Sequence, residues 1–115
     1  MGALDNQRVL LGVTGGIAAY KSPDLVRRLQ DAGAEVRVVM TPSATRLVAP
    51  TVFQAVSGQP VRSELWDEAA EAAMGHIELA RWATVVLVAP ATAHLMSQLA
   101  AGAAGNLLTT LCLAT

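Results

Sequence analysis

The chain has 115 residues, of which 53% are hydrophobic and 15% charged, and its formal net charge is −1. A chain of this length forms one domain at most, and its composition is apolar enough to bury a core. The near-zero charge excludes strong electrostatic attraction to nucleic acid or an anionic membrane, so we expect neither as a partner. The single cysteine, Cys112, excludes an internal disulfide, and we expect no metal site. With no signal peptide and no apolar run near the ~20 residues of a membrane span, we expect a cytoplasmic protein.

The N-terminal part of the chain alternates between strand and helix patterns. Val9–Val13 is a short apolar run, which predicts a strand buried on both faces, as in a parallel sheet. Residues 17–32 carry apolar side chains at helical spacing and are followed by Gly33, so they predict a helix that ends there. Glu35–Met40 predicts a second strand.

Pro23 leaves the start of the first helix open. It is either the first residue of a helix capped by Ser22, or an early residue of a helix that begins nearer Ile17. The sequence does not decide between these two starts.

The rest of the chain continues the alternation. It predicts two short helices, a mixed alanine-rich stretch, a buried strand and two further helices, at 43–48, 51–57, 62–75, Thr84–Ala89, 92–101 and from Asn106 onward. Strands that alternate with helices predict a parallel sheet with right-handed crossovers. Because the chain ends inside the apolar run Leu111–Ala114, we expect the domain to continue beyond Thr115.

Three predicted strand ends are rich in small and hydroxyl side chains. In open α/β sheets, ligands bind beyond the carboxyl ends of the strands. Small residues let backbone N–H groups approach an anion, and hydroxyls donate hydrogen bonds to phosphate or ribityl oxygens. The candidate cofactor-binding residues are Thr14, Gly15, Gly16 and Ile17 at the first end, Thr41 and Ser43 at the second, and Ala91, Thr92 and Ala93 at the third.

The motifs that are missing narrow the choice of nucleotide. The dinucleotide fingerprint G-x-G-x-x-G fails, because its second and third glycines, counted from Gly12, would be Thr14 and Ile17. Thr41 stands where an acidic ribose ligand is expected, and the sequence has no Walker motif. A phosphate site without ribose or Mg²⁺ ligands favours a mononucleotide such as FMN over NAD or ATP. The alternative is that Gly15–Gly16 forms only a tight turn between strand and helix.

Two histidines are candidates for chemistry. His76 could handle a proton in catalysis, although a lone histidine is more often a surface residue or a satisfied core residue. His94 follows the third strand end and either reaches the ligand or faces solvent. We interpret the acidic residues Asp67, Glu68 and Glu71 as a solvated face.

Five segments carry a family resemblance. In chain order they are Gly12–Ser22, Gln54–Gly58, Ala73–Leu79, Ala89–Ala93 and Asn106–Thr110. Together they resemble the phosphopantothenoylcysteine decarboxylase part of the bacterial bifunctional coenzyme A biosynthesis flavoproteins, within the homo-oligomeric flavin-containing cysteine decarboxylases. The match runs over nearly the whole chain, and the combination is far more specific than any one segment.

The resemblance implies residues 1–115 to be the N-terminal portion of an FMN-binding domain. Its fold would be a Rossmann-like α/β fold, a parallel sheet flanked by helices, in a protein assembled from trimers. The implied reaction is decarboxylation of 4'-phosphopantothenoylcysteine to 4'-phosphopantetheine, with a phosphopantothenate–cysteine ligase fused or associated. His76 matches the family's active-site histidine, and Thr110, in the last matching segment, joins the cofactor-binding set.

Some features differ from the family pattern. His94 and Gly105 stand where relatives usually carry Asn or Asp. The family's carboxylate-binding Pro-x-Met-Asn-x-x-Met segment and its flap cysteine lie outside these 115 residues, so we expect this chain alone to be incomplete for turnover. Two alternatives stay open: a non-catalytic regulatory module that binds flavin, and a flavin prenyltransferase or peptidyl-cysteine decarboxylase on the same fold.

Overall fold

The computed structural model describes residues 2–63 and 76–90, together with Met96 and Ala100. The elements in chain order are β1 (Arg8–Val13), a 3₁₀-helix (Ile17–Lys21), α1 (Ser22–Asp31), β2 (Glu35–Met40), α2 (Pro42–Leu47), α3 (Pro50–Ser57), α4 (His76–Trp82) and β3 (Val85–Val88). The helices predicted at 92–101 and from Asn106 onward lie outside the described residues, as does most of 62–75. Among the described helices, none has the length and apolar character needed to cross a bilayer.

The three strands form one parallel sheet in the order β2-β1-β3. Val9 of the central strand pairs with Val36 of β2 and with Val85 of β3, and the two ladders continue in register from there. The predicted parallel α/β sheet is therefore confirmed. The predicted full burial of the third strand is wrong for Val85, which is 45% exposed, because β3 pairs only with β1 among the described residues.

Both faces of β1 are covered, because successive side chains of a strand point to opposite sides of the sheet. One face packs against α1, α2 and α3, whose buried side chains include Val26, Ala44 and Phe53. The other face packs against α4 through Leu79 and Ala80. This arrangement explains the uninterrupted apolar run of β1 and confirms its predicted burial on both faces.

The structure shows where the first helix starts, which the sequence left open between Pro23 and a residue nearer Ile17. A 3₁₀-helix occupies Ile17–Lys21, and α1 begins at Ser22 with Pro23 in its first turn. Pro23 fits there because the N–H groups of a first helical turn have no partner within the helix. Ser22 is not the capping residue, since it lies inside the helix and donates its hydroxyl to the carbonyl oxygen of Ala89 at 2.9 Å.

The two short helices after β2 are confirmed, each beginning one residue earlier than predicted, with Pro42 and Pro50 in their first turns. Gly58 ends α3 with a φ of 71°, a left-handed conformation that glycine adopts without steric penalty. Beyond it, Arg62 forms a parallel bridge with Val39. The sheet thus extends past β2 at a position that the sequence predicted as loop or helix.

Candidate functional site

The carboxyl ends of the three strands lie at one edge of the sheet. β1 ends at Val13, which pairs with Met40 at the end of β2, while Gly12 pairs with Val88 at the end of β3. Parallel strands in register must end together, so the segments after them are neighbours in space. We call the segments 14–17, 41–43 and 89–90 the first, second and third strand ends.

The first and second strand ends are in direct contact. The N–H of Thr41 donates to the carbonyl oxygen of Val13 at 3.0 Å. A Cβ atom built on Gly15 would lie only 2.4 Å from the Cβ of Ser43, so only glycine fits at this position. The glycine turn and the start of α2 therefore approach each other as closely as backbone atoms allow.

Three hydrogen bonds hold the third strand end, one each to β1, the first strand end and α1. The N–H of Ala89 donates to the carbonyl oxygen of Gly12 at 2.9 Å and continues the sheet ladder by one residue. The Thr14 hydroxyl donates to the carbonyl oxygen of Pro90, and the Ser22 hydroxyl donates to that of Ala89. The peptide bond between Ala89 and Pro90 is cis.

The predicted cofactor-binding residues differ in what their side chains do. Thr14 and Thr41 are buried, and the Thr41 hydroxyl accepts a hydrogen bond from the N–H of Ala44, which makes it the cap of α2. Ile17 and Ser43 are exposed at the same edge. Two hydroxyls that the sequence predicted as ligands, those of Thr14 and Thr41, are thus engaged within the protein, and the hydroxyl of Ser43 stays accessible.

Some of the predicted residues lie outside the described part of the chain. These are Ala91, Thr92 and Ala93, which follow Pro90 in the sequence, and Thr110. His76 begins α4, but its side chain is not described. The C-terminal end of α4 lies beside the start of β1, where the Trp82 carbonyl accepts from the Arg8 side chain. The backbone of His76, at the other end of this helix, therefore lies toward the carboxyl ends of the strands.

A pocket of about 190 Å³ lies between the 3₁₀-helix, α1 and the third strand end. It is lined by Ala18, Lys21, Ser22, Leu25, Ala89 and Pro90. The 3₁₀-helix has three residues per turn, so Ala18 and Lys21 share one of its faces. The pocket combines residues 18–25 with residues 89–90, which are far apart in the sequence, so no pattern within one segment could single it out.

The charged residues of α1 form a separate surface cluster. The Arg27 and Arg28 side chains donate to the two carboxylate oxygens of Asp24 at 2.7 and 2.8 Å. Both hydrogen bonds hold the pKa of the Asp24 carboxyl below its ordinary value, and the one from Arg27 has the larger effect. The cluster is exposed and engaged with itself, so it is not part of the site.

The arrangement of strand ends is that of an α/β nucleotide-binding protein, and the sequence profile of the Flavoprotein family matches residues 2–115. The chain belongs to this family, and its cofactor is a flavin.

Among its relatives is the coenzyme A biosynthesis bifunctional protein CoaBC. The Escherichia coli K12 protein is 58% identical over 113 residues, which are 98% of this chain and 28% of that protein. The Vibrio vulnificus YJ016 protein is 58% identical over 115 residues, 100% of this chain and 29% of that protein, and the Bacillus subtilis protein is 47% identical over 111 residues, 96% and 27%. The chain therefore spans less than a third of the length of these relatives.

Solved structures have the same fold. The FMN-dependent cysteine decarboxylase SpaF superposes with a TM-score of 0.86 at 33% identity, covering 98% of this chain and 65% of that one. MrsD from Bacillus sp. HIL-Y85/54728 also has a TM-score of 0.86, at 30% identity, covering 99% of this chain and 65% of that one. These similarities agree with the predicted Rossmann-like flavoprotein fold and with the predicted family.

Proposed function

We propose that this chain is the flavin-binding part of an FMN-dependent decarboxylase that converts 4'-phosphopantothenoylcysteine to 4'-phosphopantetheine in coenzyme A biosynthesis. The observation that carries the proposal is the joining of the three strand ends at one edge of the sheet, through the Gly15–Ser43 contact and the Thr14–Pro90 hydrogen bond. The 58% identity to CoaBC proteins favours this substrate.

The residues at the strand ends fit a cofactor that bears one phosphate. Gly15 and Gly16 are only partly buried, and they have no side chain to keep an anion away from the backbone. Ser43 offers an exposed hydroxyl next to Gly15. Ile17 is 85% exposed and supplies an apolar surface against which a flavin ring would pack. Ala91, Thr92, Ala93 and Thr110 stay predicted members of this site.

When bound, FMN supplies the two-electron chemistry of the reaction at the cysteinyl end of the substrate. The protein then has to orient the substrate and move a proton. We assign that task to His76, because imidazole is the side chain best suited to take up and release a proton near neutral pH. Its place at the beginning of α4, the end of the helix nearer the strand ends, supports the assignment.

The proposal includes an oligomer. Ile17 and Tyr20 are three residues apart in the 3₁₀-helix, so they lie on one face, and they are 85% and 63% exposed. An exposed apolar pair beside a ligand site is typical of a protein–protein contact. We therefore propose that the protein assembles from trimers with FMN near the subunit contacts, and that a phosphopantothenate–cysteine ligase is fused to it or associated with it.

We also propose a cytoplasmic location, because the phosphorylated substrate and FMN carry charges that do not pass unaided into an apolar bilayer.

The test begins with the purified full-length protein. Oxidised flavin absorbs near ~450 nm and ~370 nm, so the protein should be yellow, and release of the cofactor should identify it as FMN. It should release CO₂ from 4'-phosphopantothenoylcysteine and not from a peptide that ends in cysteine. The reverse preference would move the protein to the peptidyl-cysteine decarboxylases, and a colourless protein that does not take up added FMN would overturn the cofactor assignment.

A second experiment tests His76. The variant His76→Asn should retain FMN and lose turnover. His94→Asn is the matched control, since it makes the same chemical change at a position where relatives usually carry Asn or Asp, and it should retain activity. Full activity in His76→Asn would remove His76 from the mechanism.

A further inference from the structure

Two buried hydroxyl groups hold the third strand end. Thr14 is 1% exposed and donates to the carbonyl oxygen of Pro90. Ser22 is 3% exposed and donates to the carbonyl oxygen of Ala89 at 2.9 Å. Two consecutive carbonyl groups are therefore bound by side chains from two different places, one directly after β1 and one in the first turn of α1.

Backbone hydrogen bonds of the sheet do not hold these two carbonyl groups in place. The last ladder bond on this side runs from the N–H of Ala89 to the carbonyl oxygen of Gly12. The ladder bonds β3 to β1 through every second residue, and no backbone N–H of the described residues donates to the carbonyl oxygens of Ala89 and Pro90. The position of these two carbonyl groups therefore depends on side-chain hydrogen bonds, which Thr14 and Ser22 donate.

The hydrogen bond of Thr14 also limits what else this residue can do. A hydroxyl has one hydrogen to donate, and the Thr14 hydrogen is donated to Pro90. A phosphate or a ribityl oxygen that needs a donor would have to take that hydrogen away. The exposed hydroxyl of Ser43 has no such restriction on access, so it is the better candidate for a direct contact.

We propose that Thr14 and Ser22 are positioning residues, which fix the third strand end at the separation from the glycine turn that the flavin needs. The proposal rests on the proposed function, and it replaces the direct role in FMN binding that the sequence predicted for Thr14. Both residues act through Ala89 and Pro90, and neither contacts the cofactor.

The experiment measures flavin binding by apoprotein prepared from the full-length protein. Thr14→Val removes the hydroxyl and keeps the side-chain shape, Thr14→Ser keeps the hydroxyl, and Ser22→Ala removes the second hydroxyl. Ser57→Ala is the matched control, because Ser57 is also buried and its hydroxyl bonds to the backbone of Gln59, at the C-terminal end of α3. The dissociation constants of FMN and of riboflavin are determined by fluorescence titration, together with the urea unfolding of each apoprotein.

We expect Thr14→Val and Ser22→Ala each to weaken FMN binding about fivefold, the worth of one hydrogen bond. Riboflavin binding should weaken by the same factor, since neither hydroxyl contacts the phosphate. Thr14→Ser should restore wild-type affinity, and Ser57→Ala should lose stability without losing affinity. If Thr14→Val fails to fold, the Thr14→Ser and Ser22→Ala results still decide.

Three results would overturn the proposal. Unchanged FMN affinity in Ser22→Ala or in a folded Thr14→Val would show that the strand end is held without the hydroxyl concerned. A loss in Thr14→Val that is confined to FMN and spares riboflavin would make Thr14 a direct phosphate ligand. Weak binding by Thr14→Ser would mean that shape, and not the hydroxyl, matters. A separate result, failure of the wild-type protein to bind any flavin, would overturn the proposed function, and the wild-type titration by itself shows it.

Discussion

Gly15→Ala is the substitution that most directly tests how the site is built. The added Cβ would lie 2.4 Å from the Cβ of Ser43 and 3.3 Å from its carbonyl carbon. Carbon atoms in van der Waals contact are about 3.5–4.0 Å apart, so the first and second strand ends must separate by roughly 1 Å. The Cβ of Ser43 is attached directly to the backbone of α2 and cannot rotate away.

Overpacking of this kind costs about 1–3 kcal/mol. In a domain of this size, a loss of 2 kcal/mol lowers Tm by roughly 10 °C. Urea unfolding of the apoprotein measures the loss, and a flavin titration should show weaker FMN binding, because the separated strand ends no longer match the cofactor.

Ser43→Gly removes the atom with which the new Cβ collides. We therefore expect the double variant Gly15→Ala/Ser43→Gly to lose less unfolding free energy than the two single variants lose together. The difference should be at least about 1 kcal/mol. Part of the loss should remain, since the 3.3 Å contact with the carbonyl carbon persists.

Gly58→Ala is the control for a glycine far from the site. Gly58 has a φ of 71°, and no atom of the described residues lies within 4 Å of an added Cβ. The substitution should cost about 1 kcal/mol through backbone strain alone and leave FMN affinity unchanged. If Gly15→Ala proved as stable as wild type, or if Ser43→Gly gave no relief, the close approach of the two strand ends would be refuted.

Three further substitutions test the packing and the charges. Phe53→Ala empties a fully buried position against the sheet and should cost about 3–5 kcal/mol in urea unfolding; a loss below 1 kcal/mol would contradict this core. Arg37 lies 5.2 Å from the Trp82 ring centroid, yet its Nε is buried without a hydrogen bond to the described residues, so Arg37→Met should stay within about 1 kcal/mol of wild type, and a much larger loss would show that the charge is needed there. The lowered pKa of Asp24 means that its hydrogen bonds to Arg27 and Arg28 stabilise the fold above the unfolded-state pKa and lose this effect as pH falls through the folded-state pKa. The stability difference between wild type and Asp24→Asn in thermal unfolding should therefore shrink in acid, and a difference that grows in acid would contradict the assignment.

The sequence predicted most of the fold because buried strands and helices place their apolar residues at regular spacings. β1 is a continuous apolar run after Arg8, and β2 alternates charged and apolar residues before an apolar end; both patterns are typical of strands. Pro50 and Gly58 lie at the two ends of α3, so its extent was also readable. The composition and spacing of the strand ends, from Gly15 to Ser43, predicted where a cofactor would sit.

The same patterns could not show which hydroxyls are free. Thr41 and Ser43 look alike in the sequence, but Thr41 caps α2 and Ser43 is exposed. The 3₁₀-helix was also invisible, since its five residues suit an α-helix equally well.

Local sequence thus determined the strands, the short helices and the chemical character of the strand ends, because propensity and hydrophobic spacing act over a few residues. Only the tertiary structure decided which ends touch and which hydroxyls stay available. Thr14 is 76 residues away from Pro90 along the chain, and Ser22 is 67 away from Ala89. Their hydrogen bonds exist because the order β2-β1-β3 brings β1 beside β3, and no pattern within a single segment contains that information.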